Sequence, residues 1–119
     1  MIFKTEQGPI EVGVTPVDCE TEDEISKKLP IKSSAKIWGD EIYFDTGISA
    51  STKGATIDVD VGDIAYWPEG KCLCIFFGPT PISTGEKPVP ASEVVIVGKT
   101  DANPEILKKV NMGDGIEVR

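Results

Sequence analysis

Six aromatic residues gather in two stretches of this chain: Trp38 and Tyr43 in the first, Tyr66, Trp67, Phe76 and Phe77 in the second. They include both tryptophans and both tyrosines of the sequence. Flat rings converging beside a few polar groups are what lines a pocket for a small molecule or an extended peptide. The same rings also fill cores, and core packing is the expected role of Phe44, Phe76 and one of Tyr66 or Trp67. Two carboxylates, Asp40 and Glu41, stand between Trp38 and Tyr43. A carboxylate enclosed by apolar rings has a raised pKa and becomes an acid–base group. In a solvated Gly-Asp turn the same residues do no chemistry. Both readings are open.

Several chemistries are absent from the residue inventory. There is no histidine, the commonest general base and zinc ligand. The only arginine is the last residue, Arg119. Asp58, Asp60 and Glu69 mimic positions of a calcium loop, but Gly62 and Asp63 spoil its interior, and strand alternation explains Asp58 and Asp60 as a solvent face. No metal and no cofactor is implied. A net charge of −8 disfavours nucleic acid and anionic membrane surfaces as partners. It fits an acidic, well-solvated surface.

Elements must hold those residues in place. Ile2–Thr5 and the alternating Ile10, Val12 and Val14 read as a hairpin around the turn Glu6-Gln7-Gly8-Pro9. Thr21 and Glu24 have the spacing of a capping box for a first helix stopped by Pro30. Ala35–Trp38 and Glu41–Phe44 are short strand pieces around Gly39-Asp40. Ile57, Val59 and Val61 alternate with Asp58 and Asp60 as a half-exposed strand. Ile64–Trp67 is another strand, ended by Pro68. Cys72–Phe77 is apolar throughout, which predicts a strand covered on both faces, with a layer such as a helix outside. Cys72 and Cys74 share one face there as reduced, buried thiols. Gly78–Pro90 holds four of the nine prolines and reads as a long surface loop. Asn103 and Pro104 start a second helix. Ile116–Val118 closes the chain as a strand.

Four ordered stretches resemble cyclophilins: the opening hairpin with its helix Thr21–Leu29, Gly62–Gly70, Cys74–Phe77, and Val94–Lys99 followed by Asn103–Val110. The closer resemblance is to small prokaryotic cyclophilin-like proteins of unknown function. It is carried by Leu29-Pro30, Trp38-Gly39-Asp40-Glu41-Ile42-Tyr43-Phe44, Gly62–Pro68 and Phe76-Phe77-Gly78-Pro79-Thr80-Pro81. About eight short strands and two short helices, with turns every eight to twelve residues or so, fit a mainly β barrel or sandwich in one domain over residues 1–119, and the resemblance implies the closed cyclophilin-like barrel. It also implies that Phe77 keeps the family's place on the groove floor. The residues of prolyl isomerisation are missing. Lys36–Asp45, the stretch corresponding to the family's catalytic strand, has neither Arg nor Gln, and the groove's Trp and His have no counterparts. Val94 stands near the place of the His. Lys36 is a flexible point charge and a poor substitute for a planar guanidinium.

The sequence therefore predicts a binding barrel without prolyl isomerase activity, its groove lined by Trp38, Tyr43, Tyr66, Trp67 and Phe77. Its ligand is a small molecule or an extended peptide. The alternative is an enzyme, a weak isomerase or one using Asp40 or Glu41. A further alternative is a protein that self-associates as a homo-oligomer, favoured by an unpaired edge near Ser49–Thr56. The start, Met1-Ile2-Phe3-Lys4, lacks the charged-then-apolar pattern of a leader, and no apolar run reaches spanning length, which predicts a cytoplasmic protein.

Overall fold

Residues 1–5 and 10–119 are described by the computed structural model, so the predicted turn over residues 6–9 lies outside the described residues. Among the described residues the chain forms β1 (Ile2–Thr5), β2 (Glu11–Gly13), β3 (Thr15–Pro16), α1 (Glu20–Ser26), β4 (Ile31–Ser34), β5 (Lys36–Ile37) and β6 (Glu41–Asp45). β7 (Asp63–Trp67), β8 (Cys72–Phe76), β9 (Val95–Lys99), α2 (Pro104–Leu107) and β10 (Gly115–Val118) follow. Their pairing is antiparallel throughout. One sheet has the order β2-β1-β10-β4, the other β3-β9-β7-β8-β6-β5.

This corrects the expected barrel. Closure would require the edge strands of one sheet to pair with each other. Here each sheet ends in edges, and neither closes among the described residues. The chain instead crosses from sheet to sheet at two corners. At Val14 it leaves β2 for β3, and at Ala35 it leaves β4 for β5. The Ala35 corner is held by the Asp114 carbonyl, which accepts from the Ala35 N–H at 2.7 Å. Switching strands at corners is how two packed open sheets share continuous chain.

The main core lies between the sheets. Phe3, Val12, Ile31, Ile116 and Val118 come from the four-stranded sheet, and Ile42, Phe44, Ile64, Leu73, Ile75 and Val97 from the six-stranded one. Phe3 and Phe44 meet edge to face across the interface, with centroids 5.7 Å apart. Leu107 and Val110, from α2 and just beyond it, join this core.

Helix α1 departs from its predicted start. Cys19 is the N-cap, with extended backbone and no side-chain cap bond. Thr21 and Glu24 lie inside the helix and reach across to Ser51. The Thr21 hydroxyl donates to the Ser51 carbonyl (2.6 Å), and the Glu24 carboxylate accepts from the Ser51 N–H (2.7 Å). These two residues fasten a loop rather than cap a helix, because the backbone of Ser51 competes for the same side-chain atoms. The Ser49–Thr56 stretch is thus tied to α1 instead of presenting a free strand edge. The second helix starts as predicted, with the Asn103 side chain accepting from the Glu105 N–H at 3.0 Å and Pro104 at its first position.

Residues 57–61 form no strand. Val59 is buried, but Ile57 and Val61 are 64% and 51% exposed. Only Thr56 pairs, with Val94. Asp58 and Asp60 both flank the Lys87 ammonium, joining this segment to the 78–94 loop. Strand β8 is buried at every position, as its composition predicts. Its outer cover is irregular chain, not a helix. There, Val59 and Val94 pack on Cys72, Cys74 and Phe76.

Candidate functional site

The six-stranded sheet has a second, outer face. Antiparallel register makes Glu41 oppose Phe76, Tyr43 oppose Cys74 and Asp45 oppose Cys72, while Ala65 and Trp67 stand across β8 from Cys74 and Cys72. Residues opposite one another share a face. So Glu41, Tyr43, Trp67, Cys74 and Phe76 all stand on the side away from the main core.

Trp38 joins them through a tight turn. Trp38 and Glu41 exchange both backbone hydrogen bonds, at 3.0 and 3.2 Å, around Gly39-Asp40. Gly39 has a φ of 61°, as the first central residue of a two-residue hairpin turn requires. The pairing sets Trp38 directly beside Glu41. The turn is then fixed from outside. Asp40 donates its N–H to the Pro79 carbonyl and accepts from the Phe77 N–H, both at 2.9 Å. A Cβ on Gly39 would lie 2.8 Å from Pro81 Cδ, and one on Gly78 would collide with the Asp40 carboxylate. Glycine is needed at both positions because two chain segments touch there. Trp38-Gly39-Asp40 and Phe77-Gly78-Pro79-Thr80-Pro81 thus form one rigid unit.

The result is a cavity of about 270 Å³ lined by Trp38, Glu41, Tyr43, Trp67, Phe76, Pro90, Ala91 and Val94. Tyr43 meets Trp67 edge to face, with centroids 6.3 Å apart. Trp67 is locked by a relay: its Nε1–H donates to Ser92 Oγ (2.6 Å), whose hydroxyl donates to the Glu69 carboxylate (2.8 Å). Lys36, opposite Tyr43 on β5, places its ammonium 5.9 Å from that ring's centroid.

Glu41 is the charged member of the lining. It is 6% exposed and makes no ion pair among the described residues. Burial pushes its pKa from the usual 4.5 to about 7, and a hydrogen bond from the Cys74 thiol offsets part of that rise. Burial and the Glu41 charge in turn raise the Cys74 thiol, and burial chiefly raises Cys72. A carboxyl with a midpoint near neutrality can hold or release a proton, or face a cation.

The structure brings together three of the five predicted ligand residues, Trp38, Tyr43 and Trp67. It turns the other two inward. Tyr66 is 1% exposed; its hydroxyl donates to the Ile48 carbonyl (2.6 Å) and accepts from the Ala50 N–H (3.1 Å). Phe77 is 5% exposed and belongs to the main core, so it floors no groove. Its neighbour Phe76 takes that place, since adjacent strand residues point to opposite faces. Of the two carboxylates, Glu41 enters the cavity, whereas Asp40 lies over Gly78 outside the lining. Phe76, one of the six candidate aromatics and expected in the core, lines the cavity, together with Pro90, Ala91 and Val94, which are not among the predicted ligand residues. Cross-strand pairing with Glu41 would have found Phe76. Pro90, Ala91 and Val94 depend on where a long loop folds back, which no local pattern encodes.

Residues 1–119 match the family described as Cyclophilin-like, and the chain belongs to that family. The solution structure of the hypothetical protein AF2241 from Archaeoglobus fulgidus is similar at 39% identity and a TM-score of 0.77, covering 99% of this chain and 91% of that one. McbB, in a structure in complex with tryptophan, has the same fold at 12% identity and a TM-score of 0.72; it covers 99% of this chain, which spans 43% of McbB. The comparison with curated proteins gives no match. No helix among the described residues is long and apolar enough to cross a membrane.

Proposed function

We propose that this protein is a binding module for a small aromatic or apolar molecule, held on the outer face of its six-stranded sheet. One observation carries the reading: an aromatic-walled cavity of about 270 Å³ with a single buried carboxyl in its lining. Its volume suits a compact ligand better than an extended peptide, because a concave site encloses most of a small ligand's surface. McbB, of the same fold, was solved in complex with tryptophan, which makes an aromatic small molecule the first class to try. Prolyl isomerisation is not the proposed role. That reaction needs a donor aimed at the twisting amide, and the cavity lining contains no Arg or Lys.

Both tryptophans of the chain line the cavity, so intrinsic fluorescence reports on it directly. A set of aromatic fragments titrated into the protein is expected to change that fluorescence saturably, with dissociation constants on the order of a millimolar or tighter. Trp38→Phe is expected to weaken binding without unfolding the protein, since Trp38 is only half-buried. Fluorescence unaffected by every fragment would contradict the reading.

A further inference from the structure

The cavity's charge pattern names the chemistry of its ligand. We propose that the pocket takes an organic cation, an amine carried on a flat apolar body, with the ammonium at Glu41 and the body between Trp38, Tyr43 and Trp67. This inference rests on the reading of the cavity as a ligand pocket.

Three observations support it. Glu41 is the lining's only ionisable carboxyl, and no Lys or Arg among the described residues pairs with it. A buried carboxylate without a cation is costly, and a cationic ligand offsets that cost. The walls reinforce the preference: ring faces attract cations, and the Tyr43 ring already has the Lys36 ammonium 5.9 Å from its centroid. An anionic ligand would find no basic side chain in the lining, and would meet Glu41 in a protein of net charge −8. The other buried carboxylate of the same sheet, Asp63, is closed to any ligand cation. Lys99 Nζ occupies it at 2.8 Å, and the Asp60 N–H donates to its second oxygen.

The groups facing Glu41 leave its protonation as the switch. From β8 it faces the Cys74 thiol, with Cys72 further along; burial raises both thiols, so they stay protonated through neutral pH. On its own hairpin, Tyr43 shares the cavity, while Lys36 and Asp40 stand outside the lining. Amine binding should therefore strengthen as pH rises through about 7, where Glu41 loses its proton.

The test uses three probes that share a ring and differ in charge: phenethylamine, phenethyl alcohol and hydrocinnamate. Each is titrated into the whole protein, followed by tryptophan fluorescence, at about pH 8.5 and about pH 5.5, on either side of the Glu41 midpoint. The amine should bind about tenfold tighter than the alcohol at the higher pH and lose most of that preference at the lower one. Glu41→Gln should abolish the preference, so that the amine binds within about twofold of the alcohol measured on the same variant. If the alcohol or hydrocinnamate binds as tightly as the amine, or if the preference survives in Glu41→Gln, the cation proposal is overturned and the pocket stands. If none of the three probes changes the fluorescence up to about 10 mM, an affinity floor of a few kcal/mol, the pocket reading falls, and the cation proposal with it.

Discussion

The two faces of the six-stranded sheet are made by the same strands and answer to different constraints. On the inner face, Ile42, Phe44, Leu73, Ile75 and Val97 meet a second regular sheet and are buried, leaving a crevice of only about 10 Å³ beside Ile42 and Ile75. Even the one buried hydroxyl there, on Tyr66, has both an acceptor and a donor. On the outer face, Glu41, Tyr43, Trp67, Cys74 and Phe76 meet only irregular chain from the 56–62 and 78–94 regions. Regular sheets interdigitate at crystal-like density. A loop follows its own backbone bonds and leaves room beneath it. The inner face holds the fold together; the outer face keeps a cavity of about 270 Å³ and a buried carboxyl that makes no ion pair among the described residues.

The sharpest way to break that contrast is to hollow out each face in turn. Phe44→Ala is expected to cost about 4 kcal/mol, because Phe44 is fully buried between packed sheets that collapse poorly into a void. Phe76→Ala is expected to cost about half as much, since its neighbourhood is already open to a cavity and bounded by loops. Chemical denaturation of both variants checks this, and equal losses would show that the outer face is as tightly packed as the inner one.

Neutralising Glu41 and Asp63, the two buried carboxylates of the six-stranded sheet, should give effects of opposite sign. Burial raises the folded-state pKa of Glu41 from 4.5 to about 7. Its contribution to stability is therefore complete below 4.5 and lost as pH climbs through about 7. Glu41→Gln escapes that loss, and should stabilise the protein by up to about 3 kcal/mol above neutrality and by nothing in acid. Asp63→Asn should instead destabilise by about 2 kcal/mol, because it removes a charged acceptor that Lys99 and the Asp60 N–H already satisfy. Melting curves of both variants at two pH values decide the matter. A Glu41→Gln variant that is less stable than the parent above neutrality would mean that the carboxylate is structurally satisfied.

Much of the site was legible because strand geometry is local. Trp38-Gly39-Asp40-Glu41 spells a two-residue turn, and the turn alone puts a tryptophan against a carboxylate. Alternation also separates Tyr66 from Trp67 and Phe76 from Phe77. It does not say which member of each pair faces the cavity. Resemblance to cyclophilins put Phe77 on a groove floor, whereas the register with β6 gives that place to Phe76. The closed barrel failed for a related reason: strand count and turn spacing are the same for a barrel and for two sheets joined at corners. Thr21 and Glu24 misled because their spacing suits a helix cap and a loop clasp equally, and only the distant Ser51 distinguishes them. Pro90, Ala91 and Val94 reach the cavity through the path of a long loop, which no periodicity records.

The central claim is that Glu41 is a buried carboxyl waiting for a cation. Isotope-labelled glutamate followed by NMR through a pH titration tests it most directly. The predicted result is a Glu41 midpoint near 7 in the free protein, falling when phenethylamine is added. A midpoint near the ordinary 4.5, unmoved by the amine, would contradict it.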